Sequence, residues 1–170
     1  MPYYADLLQT KIGYVHMVVN EDGALAWLYV SPVNAPEMGD TIMTKNFGNL
    51  EWNKRKCAHV MKQTTEYFQK KRKKFDLRLE LSTTPFRLKV WNELMNIPYG
   101  LTATYADIAK RIGQPKSMRA VGQANHNNPI MIVIPCHRVI TAGKKVTGPD
   151  KNCRIRELLL ELEGASFKTS

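Results

Sequence analysis

The stretch Ser82-Thr83-Thr84-Pro85 divides the chain into two kinds of pattern. Proline fixes its own φ, lacks an N–H and biases the residue before it away from helical geometry. No regular element runs through such a stretch, yet Pro85 fits the first turn of a new helix. The chain is therefore predicted as two units, residues 1–82 and 83–170, with different secondary structure on either side.

Before the boundary, residues 11–20 (KIGYVHMVVN) and 24–31 (ALAWLYVS) are rich in β-branched and aromatic side chains, with Glu21, Asp22 and Gly23 between them. This predicts a β-hairpin. Residues 32–47 carry Pro32, Asn34, Pro36 and Gly39 and are predicted as a loop. From about Leu50 to Lys73 the pattern is helical, with Trp52, Val60, Met61, Tyr67 and Phe68 as apolar marks. That helix is predicted to end in Lys70, Lys71, Arg72, Lys73 and Lys74, where cations suit the macrodipole. The run reads as a solvated helix end, and its composition also matches a nuclear-localisation signal. FDLRLEL (75–81) alternates apolar and polar residues, the pattern of a strand.

After the boundary the pattern is mostly helical. Phe86, Val90, Trp91 and Leu94 share one face, and IPYGL (97–101) breaks that helix. Thr104, with Asp107 three residues on, caps a short helix YADIAKRI, which Gly113 and Pro115 end. A second helix is predicted from about Lys116 to Asn125, and the pair forms a helix-turn-helix. An apolar strand over 130–134 leads into Pro135-Cys136-His137-Arg138, and a last helix covers about Lys151 to Glu163. The fold class is α/β: a small N-terminal α/β domain, then a mostly helical domain with a helix-turn-helix and a cysteine site.

With 170 residues, 44% of them hydrophobic, the chain can bury a core. No stretch has the signature of a signal peptide or reaches the ~18 apolar residues of a membrane span. Three cysteines, Cys57, Cys136 and Cys153, fit neither a disulfide framework nor a CxxC zinc site, which indicates a reducing compartment. A net charge of +10 indicates an anionic partner. Residues 83–170 hold thirteen Lys/Arg against six Asp/Glu, and residues 1–82 hold twelve against nine. The excess is thus larger in the half that carries Cys136. In the second helix of the pair, Arg119, Gln123 and His126 recur at i, i+4 and i+7, while Ala120, Gly122 and Ala124 are small. A helix with a basic stripe and small residues can approach a nucleic-acid backbone closely. An ordinary helical hairpin with an exposed arginine has the same pattern.

Cysteine is a strong nucleophile only as thiolate. His137 is the nearest helper of Cys136, but neighbours on a strand point to opposite faces, so contact requires a turn at Pro135 or a bridging water. A carboxylate behind the histidine would fix its tautomer and stabilise its cation. Glu163, Glu157 and Glu161 are all candidates. Cys57 and Cys153 read as structural thiols.

Residues 84–164 resemble the catalytic domain of the O6-alkylguanine-DNA alkyltransferases, through TPFRLKVW, IPYG, TYADIA, PKSMRAVGQANHNNP, IPCHRV and LLLELEG, in order and at close spacing. The resemblance implies a ribonuclease-H-like N-terminal domain and direct transfer of an alkyl group from a damaged guanine to Cys136, one turnover per molecule. It implies His137 as base through a water, oriented by Glu163. Asn128 would brace the link between the DNA-binding helix and the active-site segment. Tyr105 would help rotate the nucleotide, and Arg119 would enter the stack where the base has left. Ala120, Gly122 and Gln123 would lie against the DNA. Pro135, Arg138 and Val139 would shape the pocket, with the carbonyls of Cys136 and Val139 accepting from the guanine amine. The implied partner is double-stranded DNA containing O6-alkylguanine, bound by a monomer with room for clustering. No cofactor, metal or membrane is expected. The implied location is the nucleus with some cytoplasm in a eukaryote, otherwise the cytoplasm.

The chain departs from the family after IPCHRV. The usual Gly-Tyr is absent, and Gly148 is followed by Pro149, Asp150, Lys151 and Asn152. Proline has no N–H to offer and stiffens this loop. The leaving-group oxygen is then expected to be held by the N–H of Asp150 or by Lys151. A lesion-sensing or regulatory DNA-binding protein with weak or altered transfer is the alternative reading.

Overall fold

The computed structural model of the chain describes residues 1–148 and 150–169, with Asp150 and Lys151 as backbone only. The chain forms two compact units, Met1–Leu81 and Ser82–Ser170. Among the described residues no helix is long and apolar enough to cross a membrane.

The first unit is built on three successive antiparallel strands, β1 (Tyr3–Gln9), β2 (Gly13–Asn20) and β3 (Leu25–Pro32). The hairpin between β2 and β3 falls where the β-branched pattern predicts it. Asn20 closes the turn, its side-chain oxygen accepting from the N–H groups of Asp22 and Ala24 at 3.0 and 2.9 Å. β1 was not anticipated, because its alternation is interrupted by Asp6. That residue is buried all the same, with its carboxylate accepting from the Leu7 N–H at 2.9 Å.

Residues 37–47 correct the expected loop: they form helix α1 (Glu37–Phe47). Pro36 precedes the helix instead of breaking it, and Glu37 and Asp40 lie in its first turn, where acids suit the dipole. Met43 is buried with Ala5, Val18 and Trp27. Gly39 is a packing residue, because a Cβ there would stand 2.1 Å from the ring of His16. The buried His16 ring bonds the Ser31 hydroxyl at 2.9 Å, with Asp40 at 3.3 Å from its other nitrogen.

A short strand β4 (Glu51–Trp52) adds to the sheet parallel to β1, giving the order β3-β2-β1-β4. Helix α2 (Lys54–Phe68) follows, capped by Asn53, whose side chain accepts from the Lys56 N–H at 3.1 Å. Its buried face carries Cys57, Val60, Thr64 and Tyr67. The helix is shorter than the pattern predicts. Lys70 turns to φ 60°, and the Lys71 N–H closes back on the Glu66 carbonyl at 2.8 Å. The run from Lys70 to Lys74 therefore lies outside the helix. The expected strand over 75–81 reduces to one bridge, Leu79 beside Leu25, with backbone bonds from Leu25 to Arg78 and from Glu80 to Leu25.

In the second unit, α3 (Pro85–Met95) begins on the Thr84 hydroxyl and buries Val90, Trp91 and Leu94. Strand β5 (Ala103–Thr104) leads directly into α4 (Tyr105–Arg111), which has the predicted Thr104–Asp107 capping box. Helix α5 (Met118–His126) completes the helix-turn-helix. The Trp91 indole N–H donates to the Ala124 carbonyl at 2.9 Å and ties α3 to α5.

Residues 130–134 are not the predicted strand. They form a buried turn, in which the N–H of Ile134 reaches the Ile130 carbonyl at 3.0 Å and Ile132 takes φ 73°. A five-residue apolar run can bury itself in either form; Ile130 is in a single bridge, and among the described residues the rest of the run pairs with no strand. Its backbone groups are met locally instead. A 3₁₀ turn over Cys136–Arg138 follows, then β6 (Val139–Ile140), which pairs with β5 in parallel. Helix α6 (Asp150–Glu163) ends at Gly164, at φ 70°. Leu94, Ile108, Ile130, Ile134 and Leu159 are fully buried here. Each such side chain contributes about 1.5–3 kcal/mol of transfer free energy.

Candidate active site

Pro135 ends the buried turn, and the following 3₁₀ turn removes the alternation that would have pointed Cys136 and His137 to opposite faces. Cys136 is 2% exposed and His137 is fully buried. The Cys136 N–H donates to the Ile134 carbonyl at 2.7 Å, while its own carbonyl accepts from the Val139 N–H and, at 3.4 Å, from the Asn125 side chain.

Of the three candidate carboxylates, Glu163 is the one bonded to the histidine, at 2.7 Å from His137 Nε2. Glu157 and Glu161 instead face Arg154, at 3.3 and 3.5 Å. Arg138 also grips Glu163, donating from Nε and Nη2 at 2.9 Å each, and its Nη1 reaches the Ile97 carbonyl at 2.7 Å. The Gly100 N–H adds a weaker contact to the carboxylate at 3.3 Å. Glu163 thus joins the end of α6 to the Cys136–Arg138 turn and to the IPYG segment. Burial pushes the Glu163 carboxyl up, but His137 and Arg138 together outweigh it and hold the group well below the usual carboxylate range. Burial pushes the His137 imidazole below the ordinary histidine range. The Glu163 bond opposes that shift, and the charges of Arg138 and Arg156 add to it. A neutral His137 that donates from Nε2 to Glu163 has Nδ1 as its acceptor, and Nδ1 has no hydrogen-bond partner among the described residues.

Asn128 lies between α5 and the Cys136–Arg138 turn along the chain. Its Nδ2 donates to the Ile134 carbonyl at 2.6 Å, and its Oδ1 accepts from the Ile130 N–H at 2.9 Å. β5 and β6 place Thr104 beside Ile140, so the Cys136–Arg138 turn runs directly into the strand that pairs at the start of α4. Tyr105, the first residue of α4, bonds the Thr147 hydroxyl at 2.7 Å. An open recess of about 450 Å³ is lined by Tyr105, Met118, Arg119, Gly122, His126, Thr141 and Thr147. Arg119, Ala120 and Gln123 are exposed on α5. Pro149 and the side chains of Asp150 and Lys151 lie outside the described residues, and the expected hold of Lys151 on the leaving-group oxygen falls there.

Three contributors were missed in the sequence. Asn125 is fully buried and holds the Cys136 carbonyl. A polar residue four positions after the buried Val121, on the same helix face, was the available signal. Thr147 and Arg156 were missed as well. Arg156 Nη1 donates to the Thr147 carbonyl at 2.7 Å, and Nη2 lies 3.4 Å from His126 Nδ1. This links α6 to the loop and to α5, and no sequence pattern announces it.

Residues 85–165 match the family model "6-O-methylguanine DNA methyltransferase, DNA binding domain". Over 163 residues the chain is 39% identical to a methylated-DNA–protein-cysteine methyltransferase of Methanosarcina acetivorans, covering 96% of this chain and 99% of that one. A crystal structure of the Mycobacterium tuberculosis O6-methylguanine methyltransferase superposes with a TM-score of 0.83 at 33% identity, covering 95% and 93% of the two chains. Mycobacterium tuberculosis OGT, solved in complex with DNA, gives 0.80 at 32% identity over 96% and 93%.

Proposed function

The chain belongs to the methylated-DNA–protein-cysteine methyltransferase family, and from that premise we propose that Cys136 is the residue that takes the alkyl group. The protein binds DNA and repairs O6-methylguanine by methyl transfer to a cysteine, as a methylated-DNA–[protein]-cysteine S-methyltransferase. The observation that carries the choice of Cys136 is the buried Cys136-His137-Arg138 turn closed by Glu163.

His137, kept neutral by burial and holding its Nε2 proton on Glu163, takes the Cys136 proton at Nδ1 through a water. The thiolate attacks the O6-methyl carbon. The S–C bond forms as the C–O6 bond breaks, the electron pair leaves with guanine, and the guanine anion takes the proton that His137 had accepted. A thioether and an unmodified guanine remain. The thioether has no leaving group that water can reach, so each molecule acts once.

The methyl carbon is hidden within a duplex, so the nucleotide must be flipped out, at a cost of a few kcal/mol. Arg119 fills the vacated stack, while Ala120, Gly122 and Gln123 let α5 press into the groove. Tyr105 leaves Thr147 to guide the nucleotide. The guanine amine meets the carbonyls of Cys136 and Val139, displacing the long Asn125 contact. The substrate is duplex DNA with O6-alkylguanine, met by a monomer that can cluster along it. The work is done where DNA is kept, in a nucleus or otherwise in the cytoplasm. Single-turnover restoration of guanine in a lesion duplex tests the residue assignment. Cys136→Ser abolishes it, and His137→Gln slows it by about 10² or more. Full activity in Cys136→Ser would refute the assignment.

A further inference from the structure

Charge in the N-terminal unit is segregated. Residues 54–78 hold ten Lys/Arg against two Asp/Glu, while the rest of residues 1–82 holds two against seven. The net charge of that half is small only because these two parts cancel. The basic part is α2 and the segment after it. Arg55, His59 and Lys62 recur at i, i+4 and i+7 and are exposed, opposite the buried face of α2. Lys70, Lys71 and Lys74 follow directly, exposed beyond the last turn.

Some cations of this segment are engaged. Lys56 donates to the Glu21 carbonyl at 3.0 Å, Arg72 pairs with Glu66 at 2.9 Å, and Arg78 bonds the Asp22 carbonyl. Lys54, Arg55, Lys62, Lys70, Lys71 and Lys74 have no acidic partner within ion-pair distance among the described residues. Soluble surfaces ordinarily intersperse the two signs, since a single-sign field repels itself. A helix of this length is about 22 Å long. Each strand of a duplex carries a phosphate roughly every 3.4 Å of axis, so such a ridge faces several at once.

We propose that this ridge is a second DNA-contacting surface, which takes the phosphate backbone of duplex DNA and adds sequence-independent, salt-sensitive affinity. It rests on the chain's DNA binding and not on which residues transfer the alkyl group. Phosphate contacts position a protein without reading bases. The ridge therefore raises occupancy of undamaged duplex, on which a lesion has to be found, and leaves the chemical step alone.

The test uses the full chain with Lys62, Lys70, Lys71 and Lys74 changed to Gln, beside a control with Lys11→Gln and Lys45→Gln. Binding to a labelled undamaged duplex is followed by fluorescence anisotropy between about 50 and 200 mM salt. The ridge variant is expected to bind at least about tenfold more weakly at low salt, with a salt slope smaller by roughly 0.9 for each lost contact. The control keeps the parent slope, and the transfer rate at saturating lesion duplex is unchanged in both. A parent-like slope in the ridge variant overturns the proposal. So does an equal loss per charge in the control, which would reduce the effect to bulk charge. A ridge that binds a poly-glutamate peptide while the DNA slope stays intact also overturns it, in favour of an acidic protein partner. An inactive parent would bear on the transfer residues, because binding to undamaged duplex is read without it.

Discussion

Glu163 holds two buried partners at once, the His137 imidazole and the Arg138 guanidinium. One buried acid shared between them keeps the histidine in a single tautomer without forcing it to stay charged. Removing the carboxylate leaves Arg138 buried and unpaired, which costs about 3–5 kcal/mol in comparable cases. Glu163→Gln is therefore expected to lower the Tm markedly and to cut the single-turnover rate by about 10². A variant with a parent-like rate would sever Glu163 from the chemistry. The pH dependence has a definite sign. Because burial holds His137 below the ordinary range, its neutral form persists as pH falls through that range. The transfer rate should stay level down past pH ~6.5 and drop only below it. A rate that halves at the ordinary histidine pKa would show that His137 is not depressed or is not the base. Glu163 acts on stability in the depressed-carboxylate sense. Its contribution is complete above the unfolded pKa and is lost as pH falls through the lower folded value. At this scale the sequence exposed Cys136 and His137, which are adjacent in the chain. It left three glutamates open, because which of them meets His137 depends on where α6 ends. It hid Asn125 and Arg156, whose partners Cys136 and Thr147 lie 11 and 9 residues away along the chain, outside the helix that carries each.

Elements were legible where local chemistry decides them. The hairpin turn at Asn20, the Thr104–Asp107 capping box and the stop at Gly113 are short-range devices, and they sit where their residues predict. Residues 37–47 were misread because Pro36 and Gly39 look like loop punctuation. Gly39 is small for a tertiary reason, the approach of α1 over His16, which no local rule contains. Gly39→Ala tests this directly. The added methyl has to displace a buried ring, and overpacking of this kind costs about 1–3 kcal/mol, so the Tm should fall by several degrees. An unchanged Tm would mean that α1 can slide away at no cost. The turn over 130–134 was misread for the converse reason, since an apolar run carries no period. Asn128 holds that turn by two backbone bonds. Asn128→Ala leaves a buried carbonyl and N–H unsatisfied and should cost about 2–4 kcal/mol, while also slowing transfer by displacing Cys136. Loss of stability with an untouched rate would confine Asn128 to scaffolding.

For the whole molecule, the chain groups into two compact units, Met1–Leu81 and Ser82–Ser170. The +10 charge pointed to an anionic partner, in keeping with the DNA binding proposed for the chain. Counting charge by halves was nevertheless misleading, because the acidic remainder of the first unit masks its basic ridge. A count by segment separates the two signs, and a sum over each half does not. The central claim is that one molecule consumes one lesion at Cys136. Intact-mass spectrometry with peptide mapping, after incubation with a duplex carrying a single O6-methylguanine, tests it most directly. The account predicts a gain of one CH₂ per chain, mapped to Cys136, equal in amount to the guanine restored and absent in Cys136→Ser. A chain that binds the lesion duplex and keeps its mass, or that carries the methyl on Cys57 or Cys153, would contradict it.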